Sequence, residues 1–499
     1  MGVREKAKAG IAWNILADVG IQLLRFGGSI ILARILFPQD FGLMGIAAIF
    51  INFAKRLANF GFSASLVQKK EIDRGHVDSM FWFNFAIYSI IALGVVVTAP
   101  YVQAFFKSPM LAAILPVVAL AFFIEAMSGV PDALLKKRLQ FKQLAFSRLL
   151  RNIINITLAV IFAILGFGVW SLVWGMLAGN AIRLLLLFFY ARWLPGMRFS
   201  VAKLKDLAKF GLGVTLANYL NYFIKNTDYF IIGKFLGTDQ LGYYERAFNL
   251  MNMTRRRVAR NMNAVLFAAY SKIQDQDEKI RRGVHKVLQS VGVISYPVHG
   301  LLFFLAPALI YNLYGPKWIP TIQPLQIMCV SGLINSMVVI FNPVVLAKKR
   351  VFRWTLVQAL YWFLLASSMM VSLPYGINGV AIAVVFSSAF YLLAMVFFIS
   401  RVIPFGFRDF LNNQWDLWLY FVPTFGMTFL SNHLLGQYLD EYSPIKAILL
   451  AIIFGAMLVI SHLIWRKAFV GEFFIEIATF FKKGLAKMQG KPDESLAKK

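Results

Sequence analysis

The sequence is poor in the residues on which most catalytic and metal sites depend. Its single cysteine, Cys329, excludes an intrachain disulfide framework and a thiolate metal cluster. The five histidines are scattered, and no HExxH, paired-carboxylate or nucleophile–base spacing occurs. A GxxxxGK(S/T) phosphate-binding loop is also missing, so any transport would be secondary rather than driven by nucleotide hydrolysis. The sequence therefore predicts no enzyme, no cofactor and no metal site.

Charged residues are scarce as well. Only 15% of the 499 residues are charged and 59% are hydrophobic, with a mean hydropathy of +0.67. An ordinary soluble domain carries about 25% charged residues. Apolar runs of about 20 residues, the length that crosses a bilayer as a helix, recur along nearly the whole chain. We therefore predict an all-α polytopic membrane protein.

The apolar runs divide into about fourteen predicted transmembrane helices. These spans lie at 11–32, 42–66, 80–100, 110–130, 149–165, 169–191, 211–232, 243–268, 287–309, 320–346, 354–373, 379–400, 418–435 and 445–465. No cleavable signal peptide is expected, because the first run holds Asp18 and Arg25 and lacks a small-residue cleavage site.

Acidic residues are scarcer than basic ones: the chain has 23 Asp and Glu but 51 Lys and Arg, which gives a net charge of +28. Alternate connections between the predicted spans hold 35 Lys and Arg on one side and 4 on the other. The positive-inside rule then places both termini in the cytoplasm. The surplus cations are expected to face anionic lipid rather than nucleic acid.

Basic residues inside the predicted spans carry the functional argument. A charged side chain near the bilayer centre costs at least ~2.5–3.5 kcal/mol unless it faces protein or water. Such residues recur at similar places in both halves of the chain: Arg25, Lys55 and Arg56, then Lys225, Arg255 and Arg256. The pattern predicts a buried cationic cavity, and a cavity of that sign favours an anionic substrate.

The two sets of cations belong to an internal repeat. When residues 11–56 are laid on 211–256 without gaps, eight positions are identical: Leu16, Ala17, Ile31, Leu36, Gly42, Ala47, Asn52 and Arg56. Arg25/Lys225, Arg34/Lys234 and Lys55/Arg255 are conservative pairs. Because six predicted spans separate the copies, both run in the same direction. This predicts two parallel six-helix halves about an axis along the membrane normal, with the site between them.

The repeat also predicts how the chain is divided. The expected parts are an N-terminal lobe at 1–192, a cytoplasmic linker at 193–210, a C-terminal lobe at 211–400, two further helices within 401–465, and a cytoplasmic amphipathic and disordered tail at 466–499. Within the N-terminal lobe, Gly175 and Gly179 form a GxxxG motif that predicts close helix packing inside the bundle.

Helical geometry selects the side chains expected to face the cavity. At 100° per residue Asn52 shares a face with Arg56, and Asn252 shares one with Arg256. With Arg25 and Lys225 these residues are the predicted substrate-binding set, whereas Lys55 and Arg255 point away and are weaker candidates. Arginine suits a phosphate or diphosphate because its planar fork donates two hydrogen bonds at once. The alternative for Arg56 and Arg256 is that they snorkel toward the cytoplasm.

Acidic residues in the spans are candidates for ion coupling. Asp18 and Asp228 each lie near a cation on their own predicted helix, and could bind and release a proton or Na⁺. The simpler interpretation is that they neutralise Arg25 and Lys225. Glu125 and Glu245 are further candidates.

Three segments resemble a known family. They are RILFPQDFGLMGIAAIF (34–50), NFGFSASLVQKKEID (59–73) and, in the second half, LGTDQLGYYERAFNL (236–250). With the basic opening segment and first helix, they resemble the Wzx-type polysaccharide flippases of the multidrug/oligosaccharidyl-lipid/polysaccharide exporter superfamily. The branch they look most like is that of colanic-acid and related exopolysaccharide exporters.

The resemblance implies a fold of two six-helix lobes with two extra helices, like that of the multidrug exporters. It implies that the protein flips undecaprenyl-diphosphate-linked oligosaccharides across the bacterial inner membrane by alternating access, for exopolysaccharide, O-antigen or capsule synthesis. Expected partners are this lipid, the surrounding membrane lipids, H⁺ or Na⁺, and polysaccharide polymerase machinery. Family members similarly place cations on the first, second, seventh and eighth helices, where this chain has Arg25, Arg56, Lys225 and Arg256.

Two rival functions remain open at this point. One is a cation-coupled drug or metabolite antiporter on the same fold, although a cavity for cationic compounds should be lined by carboxylates. The other is a membrane enzyme acting on glycans, which should have large outer loops or an intramembrane histidine with acidic partners.

Overall fold

The computed structural model describes residues 3–58, 66, 67, 69, 72–208 and 215–464. Within these helices the side chains of 3–12, 15, 54, 57, 58, 205–208, 215–221, 254–262, 264 and 462 are outside the description. The predicted amphipathic tail and the end of the predicted linker, at 209 and 210, also lie outside the described residues.

Every long regular element in the described ranges is an α-helix. In chain order the helices are α1 Val3–Ile35, α2 Pro38–Ala58, α3 Arg74–Phe106, α4 Met110–Lys137, α5 Phe141–Ile164, α6 Val169–Ala191, α7 Val201–Ala208, α8 Thr215–Phe235, α9 Thr238–Lys272, α10 Asp277–Leu309, α11 Ile322–Val338, α12 Asn342–Ala347, α13 Val351–Ser372, α14 Gly376–Ser400, α15 Phe407–Leu435 and α16 Pro444–Ile464. Short π and 3-10 turns join α10 to α11, α11 to α12 and α13 to α14.

The prediction of an all-α polytopic membrane protein is confirmed. In the described residues, 9 stretches are long and apolar enough to cross a membrane, and one of them, Val351–Ser400, contains both α13 and α14. The number of fourteen transmembrane helices stays a prediction.

The chain forms two compact units. The first contains residues 1–246, 313–320 and 369–380, and the second contains the remainder. In the first unit α1 packs on α5, α3 packs on α4, and α2 lies against α4, α6 and α8. In the second unit α10 packs on α11 and also against α15 and α16. The predicted lobe boundaries stay a prediction.

The GxxxG motif brings α5 and α6 into close contact, as predicted. A Cβ atom added at Gly175 would lie 2.6 Å from the Asn155 carbonyl oxygen, and one added at Gly179 would lie 2.6 Å from the Arg151 carbonyl oxygen. Only glycine permits this approach of two helix backbones. The close crossing sets Arg151 of α5 beside the turn of α6 that leads to Arg183.

The internal repeat continues in the backbone beyond the matched sequence. Left-handed φ angles occur in pairs that are 208 to 210 residues apart: Lys107 (51°) with Gly315 (99°), Leu139 (57°) with Lys349 (55°), and Gly168 (53°) with Gly376 (64°). Such angles are uncommon at residues other than glycine. Their recurrence indicates that both halves break their helices at equivalent points.

Replacing Gly179 with valine is expected to destabilise the protein. The added side chain would meet the α5 backbone, and overpacking of this kind costs about 1–3 kcal/mol. The measurement is the thermal unfolding midpoint of the purified protein in detergent. The matched control is Gly94→Val in α3, where an added Cβ meets nothing within 4 Å. Equal loss of stability in both variants would contradict the close-packing account.

Candidate anion-binding site in the membrane helices

Lys55 forms an ion pair inside the first unit. Its Nζ lies 2.9 Å from Glu125 Oε2, and the two side chains are about one third exposed, at 31% and 34%. The pair forms because the end of α2 packs on the middle of α4. Helical geometry predicted that Lys55 points away from the face that carries Asn52 and Arg56. In the structure the Lys55 side chain faces α4.

Two arginines that were not among the predicted site residues lie close to this pair. Arg151 of α5 and Arg183 of α6 are near enough to Glu125 to interact with its charge, and Arg151 also interacts with Arg25. Arg25, Lys55, Glu125, Arg151 and Arg183 therefore share one neighbourhood, which we call the cationic cluster. It contains four cations and one carboxylate.

Neighbouring polar groups hold the cluster in place. Arg25 Nε donates a hydrogen bond to Asn152 Oδ1 at 2.8 Å, and Asn152 Nδ2 donates to the Arg148 carbonyl oxygen at 2.7 Å. Arg183 donates to Asp132 Oδ1 at 2.6 Å, and Asp132 also pairs with Lys136. Among the described residues Arg151 forms no ion pair within 4.0 Å. The cluster therefore keeps a positive excess that an anion would neutralise.

Arg56 lies against a different helix. Its guanidinium carbon is 5.4 Å from the centre of the Tyr222 ring on α8, and Tyr222 donates its hydroxyl hydrogen bond to the Ile49 carbonyl oxygen. Guanidinium groups are attracted to aromatic faces at this distance. Lys225 is exposed one turn further along α8. Arg56 thus contacts an aromatic side chain of α8, and its role in binding stays a prediction.

Four further residues were predicted to bind substrate, and the structure describes the side chains of two of them. Asn52 is exposed, whereas Asn252 is 1% exposed and donates to the Phe248 carbonyl oxygen of its own helix. The side chains of Arg255 and Arg256 lie outside the described residues. The roles of all four in binding stay predictions.

The two coupling candidates have unlike surroundings. Asp18 is exposed and pairs with Arg148 of α5 at 3.2 Å. Asp228 is buried and accepts hydrogen bonds from the Tyr244 hydroxyl at 3.1 Å and from the Tyr229 amide at 2.9 Å. Asp18 therefore neutralises a cation of another helix, while Asp228 is a buried carboxylate held by a neutral hydroxyl.

Sequence reasoning missed Arg151 and Arg183 although the signal for them was present. Arg183 lies deep inside the predicted span 169–191, and Arg151 lies near the start of the span 149–165. A cation inside a span needs a protein or water partner. The cations that recur 200 residues later lie on α1, α2, α8 and α9. Arg151 and Arg183 have no such counterpart, because Val351 and Ala383 stand at the corresponding positions.

A second feature joins the two repeats where α2 and α9 begin. A Cβ added at Gly42 would lie 1.8 Å from the Thr238 carbonyl oxygen, and one added at Gly242 would lie 2.0 Å from the Pro38 carbonyl oxygen. In the repeat, Gly242 corresponds to Gly42 and Thr238 corresponds to Pro38, each 200 residues later, so the two contacts are equivalent. The two helix starts therefore cross about a local pseudo-two-fold axis.

Repeat-related cations strengthen this crossing. Arg34 Nε donates to the Leu313 carbonyl oxygen at 2.8 Å, and Lys234 Nζ donates to the Phe105 carbonyl oxygen. The guanidinium carbon of Arg246 lies 3.7 Å from the centre of the Phe41 ring and 5.7 Å from the centre of the Trp318 ring. We call this set of contacts the outer crossing, because all of it lies at the ends of helices predicted to face outward.

The fold is similar to those of two solved membrane proteins. It matches the structure "Lipid II flippase MurJ, inward closed conformation" with a TM-score of 0.74 at 15% sequence identity, covering 91% of this chain and 99% of that one. An inward-facing multidrug resistance MATE family transporter of the MOP superfamily matches with a TM-score of 0.58 at 16% identity, covering 78% of this chain and 94% of that one.

Residues 31–323, more than half of the chain, match the family described as "Polysaccharide biosynthesis protein", and the chain belongs to that family. Among its relatives is the lipopolysaccharide biosynthesis protein WzxC of Escherichia coli K12, 29% identical over 70% of this chain and 72% of its own length. Another is the succinoglycan biosynthesis transport protein ExoT of Rhizobium meliloti, 27% identical over 62% of each chain. The predicted relationship to the Wzx-type flippases is confirmed.

Loss of one arginine of the cluster should weaken the binding of a diphosphate. Replacing Arg151 with Gln removes a charged hydrogen-bond donor, and such a bond is worth about 1.5–3 kcal/mol, which corresponds to a roughly ten- to hundredfold rise in Kd. The probe is farnesyl diphosphate, titrated against the purified protein by intrinsic tryptophan fluorescence, with farnesol to measure binding of the prenyl chain alone.

The matched control is Arg408→Gln, which removes an exposed arginine at the start of α15. This control should leave the Kd of farnesyl diphosphate unchanged. An equal weakening in both variants, or no preference over farnesol in the unmodified protein, would rule out the cluster as an anion site.

Proposed function

We propose that the protein flips oligosaccharides linked to undecaprenyl diphosphate across the bacterial inner membrane for the synthesis of a surface polysaccharide. The observation that carries the proposal is the cationic cluster, in which Lys55, Arg151 and Arg183 interact with the Glu125 carboxylate and Arg25 interacts with Arg151. Family membership supports it, as do the curated names of the relatives, which are proteins of lipopolysaccharide biosynthesis and of succinoglycan transport.

The chemistry of the cluster suits a diphosphate. Guanidinium groups donate paired hydrogen bonds to phosphate oxygens and stay charged at any physiological pH. A diphosphate entering the cluster competes with Glu125 for Lys55 and the arginines. One anion then replaces another, so that the cations are never left unpaired in the membrane, where an unpaired charge is costly. The prenyl chain remains in the lipid.

Transport by alternating access requires the outer side to close while the head group is loaded from the cytoplasm. The outer crossing supports this step, because its helix starts touch through backbone and not through flexible side chains. In the proposed cycle the outer crossing separates after loading, and its repeat-related contacts re-form after release.

Replacing Gly42 with alanine should favour the outward-open state. The added methyl group overpacks the closed crossing by about 1–3 kcal/mol. Because about 1.4 kcal/mol changes an equilibrium tenfold, the outward-open population should rise roughly tenfold. The measurement is the rate at which a membrane-impermeant maleimide, added outside cells, labels Asn52→Cys in a Cys329→Ser background.

Gly27→Ala is the matched control for this experiment, since an added Cβ at Gly27 meets nothing within 4 Å. Labelling should be faster in Gly42→Ala and unchanged in Gly27→Ala at equal protein abundance. The same labelling rate in Gly42→Ala as in the parent would contradict an outer gate at this crossing.

The flipping activity itself is tested in proteoliposomes. Protein is reconstituted with a radiolabelled undecaprenyl-diphosphate-linked disaccharide, and membrane-impermeant periodate reports which sugars have reached the outer leaflet. Protein-dependent transfer supports the proposal. Efflux of ethidium without any sugar transfer would favour the drug-antiporter alternative, and a covalently altered lipid-linked sugar would favour an enzyme.

Asp228 is the proposed site of ion coupling, because it is buried within the first unit and held by the neutral Tyr244 hydroxyl. Asp228→Asn should abolish the stimulation of flipping by a pH or Na⁺ gradient across the proteoliposomes while leaving gradient-free exchange. Asp18→Asn is the comparison, and it should retain the stimulation because Asp18 is exposed and paired with Arg148. Stimulation that survives Asp228→Asn would exclude this residue as the coupling group.

A further inference from the structure

A cavity lined by basic residues lies where α3 and α7 begin. It has a volume of about 170 Å³, and its lining includes Arg74, Arg198 and Lys203 together with Asp73. It lies in the first unit, at the ends of helices predicted to face the cytoplasm. The cationic cluster has no residue in common with it. We call it the interfacial cavity.

The walls of the interfacial cavity are fixed by hydrogen bonds between α3 and the segment before α7. The Ser200 amide donates to Ser79 Oγ at 2.8 Å, and the Gly196 amide donates to Asp78 Oδ1 at 3.2 Å. Trp82 Nε1 donates to the Gly196 carbonyl oxygen at 2.8 Å. Because Ser79 and Asp78 are fully buried, this segment is anchored on α3 rather than loosely attached.

The cavity has an excess of positive charge. Asp73 accepts a hydrogen bond from Lys203, and this bond, with those from His76, holds the pKa of the Asp73 carboxyl well below its usual range. Asp73 therefore remains ionised and offsets Lys203. Arg74 and Arg198 are exposed, and within the described part of the chain neither forms an ion pair. Two guanidinium groups are thus left to meet an anion.

Apolar side chains project beside the cavity from the same segment. Leu194, Met197, Phe199 and Val201 are all exposed, Met197 by 92%. Large apolar side chains exposed next to guanidinium groups are typical of a segment in the interface of a membrane, with the apolar groups among the acyl chains and the cations at the level of the phosphates. Contact with water alone would not favour the exposure of four large apolar side chains in one short segment.

We propose that the interfacial cavity binds the phosphate head group of an anionic phospholipid of the cytoplasmic leaflet. Arg74 and Arg198 would hold the phosphate, while Met197 and Phe199 would contact its acyl chains. The start of α3 adds the partial positive charge of a long helix to the same place. The site would anchor the connection between α6 and α8 to the membrane, and it is independent of the proposed flipping activity.

The test is native mass spectrometry of the full-length protein released from nanodiscs of phosphatidylcholine that contain a small fraction of phosphatidylglycerol. The unmodified protein should retain phosphatidylglycerol in preference to phosphatidylcholine. The double variant Arg74→Gln/Arg198→Gln should bind it roughly 30-fold more weakly, since each basic side chain near an anionic surface contributes about fivefold. The thermal unfolding midpoint should stay unchanged, because both arginines are exposed.

The control is Lys279→Gln/Arg408→Gln, which removes the same charge from exposed positions elsewhere. It should leave phosphatidylglycerol binding unchanged, and equal losses in both double variants would overturn the proposal in favour of general electrostatic attraction. Displacement of the lipid by millimolar inorganic phosphate would instead identify a soluble anion as the occupant. Preferential binding of undecaprenyl phosphate over phosphatidylglycerol would assign the cavity to the transported lipid and would also overturn the proposal.

Discussion

The cost of an ionised side chain inside a membrane is the constraint from which the structure follows. Each basic residue in the helices of the first unit must meet protein or water, or the helix that carries it will not remain in the bilayer. Lys55 meets Glu125, Arg183 meets Asp132, and Arg25 meets Asn152. These contacts join α1, α2, α4, α5 and α6 into one polar neighbourhood. The cations that are proposed to bind an anion thus also contribute to helix packing.

Glycine makes this neighbourhood possible. At Gly179 the absence of a Cβ lets α6 approach the carbonyl oxygen of Arg151. Two arginines are thereby held near one glutamate, where their mutual repulsion is offset by the carboxylate. Glycine has the same role at Gly42 and Gly242, where helix starts from the two repeats cross through their backbones.

The two halves of the repeat are alike in backbone and unlike in charge. Lys349 is the counterpart of Leu139, 210 residues earlier, and at the same offset the neutral Asn342 stands where the first half has Asp132. The position 208 residues after Arg183 is Tyr391, whose ring is stacked on that of Tyr361 at 4.4 Å. At this place the described second half has a pair of stacked aromatic rings where the first half has Arg183.

The sequence was sufficient to predict the fold class, but not which side chains the candidate site residues contact. Hydropathy reveals membrane helices because a span must be apolar for about 20 residues. The depth of Arg25 within its span marked it as a candidate for binding. The contact between Lys55 and Glu125 could not be foreseen, because it depends on which face of α2 meets α4, and helix packing decides this rather than periodicity. Asp228 lies beside Lys225 in the sequence, yet its carboxylate accepts a hydrogen bond from Tyr244 on the next helix.

The proposed function requires the cationic cluster to receive the diphosphate of the transported lipid. A structure of the full-length protein bound to undecaprenyl diphosphate linked to a sugar would test this requirement. The phosphate oxygens are expected to lie in hydrogen-bonding contact with Arg151, Arg183 and Arg25. A diphosphate bound elsewhere, with Glu125 still paired to Lys55 and no phosphate contact to these arginines, would contradict it.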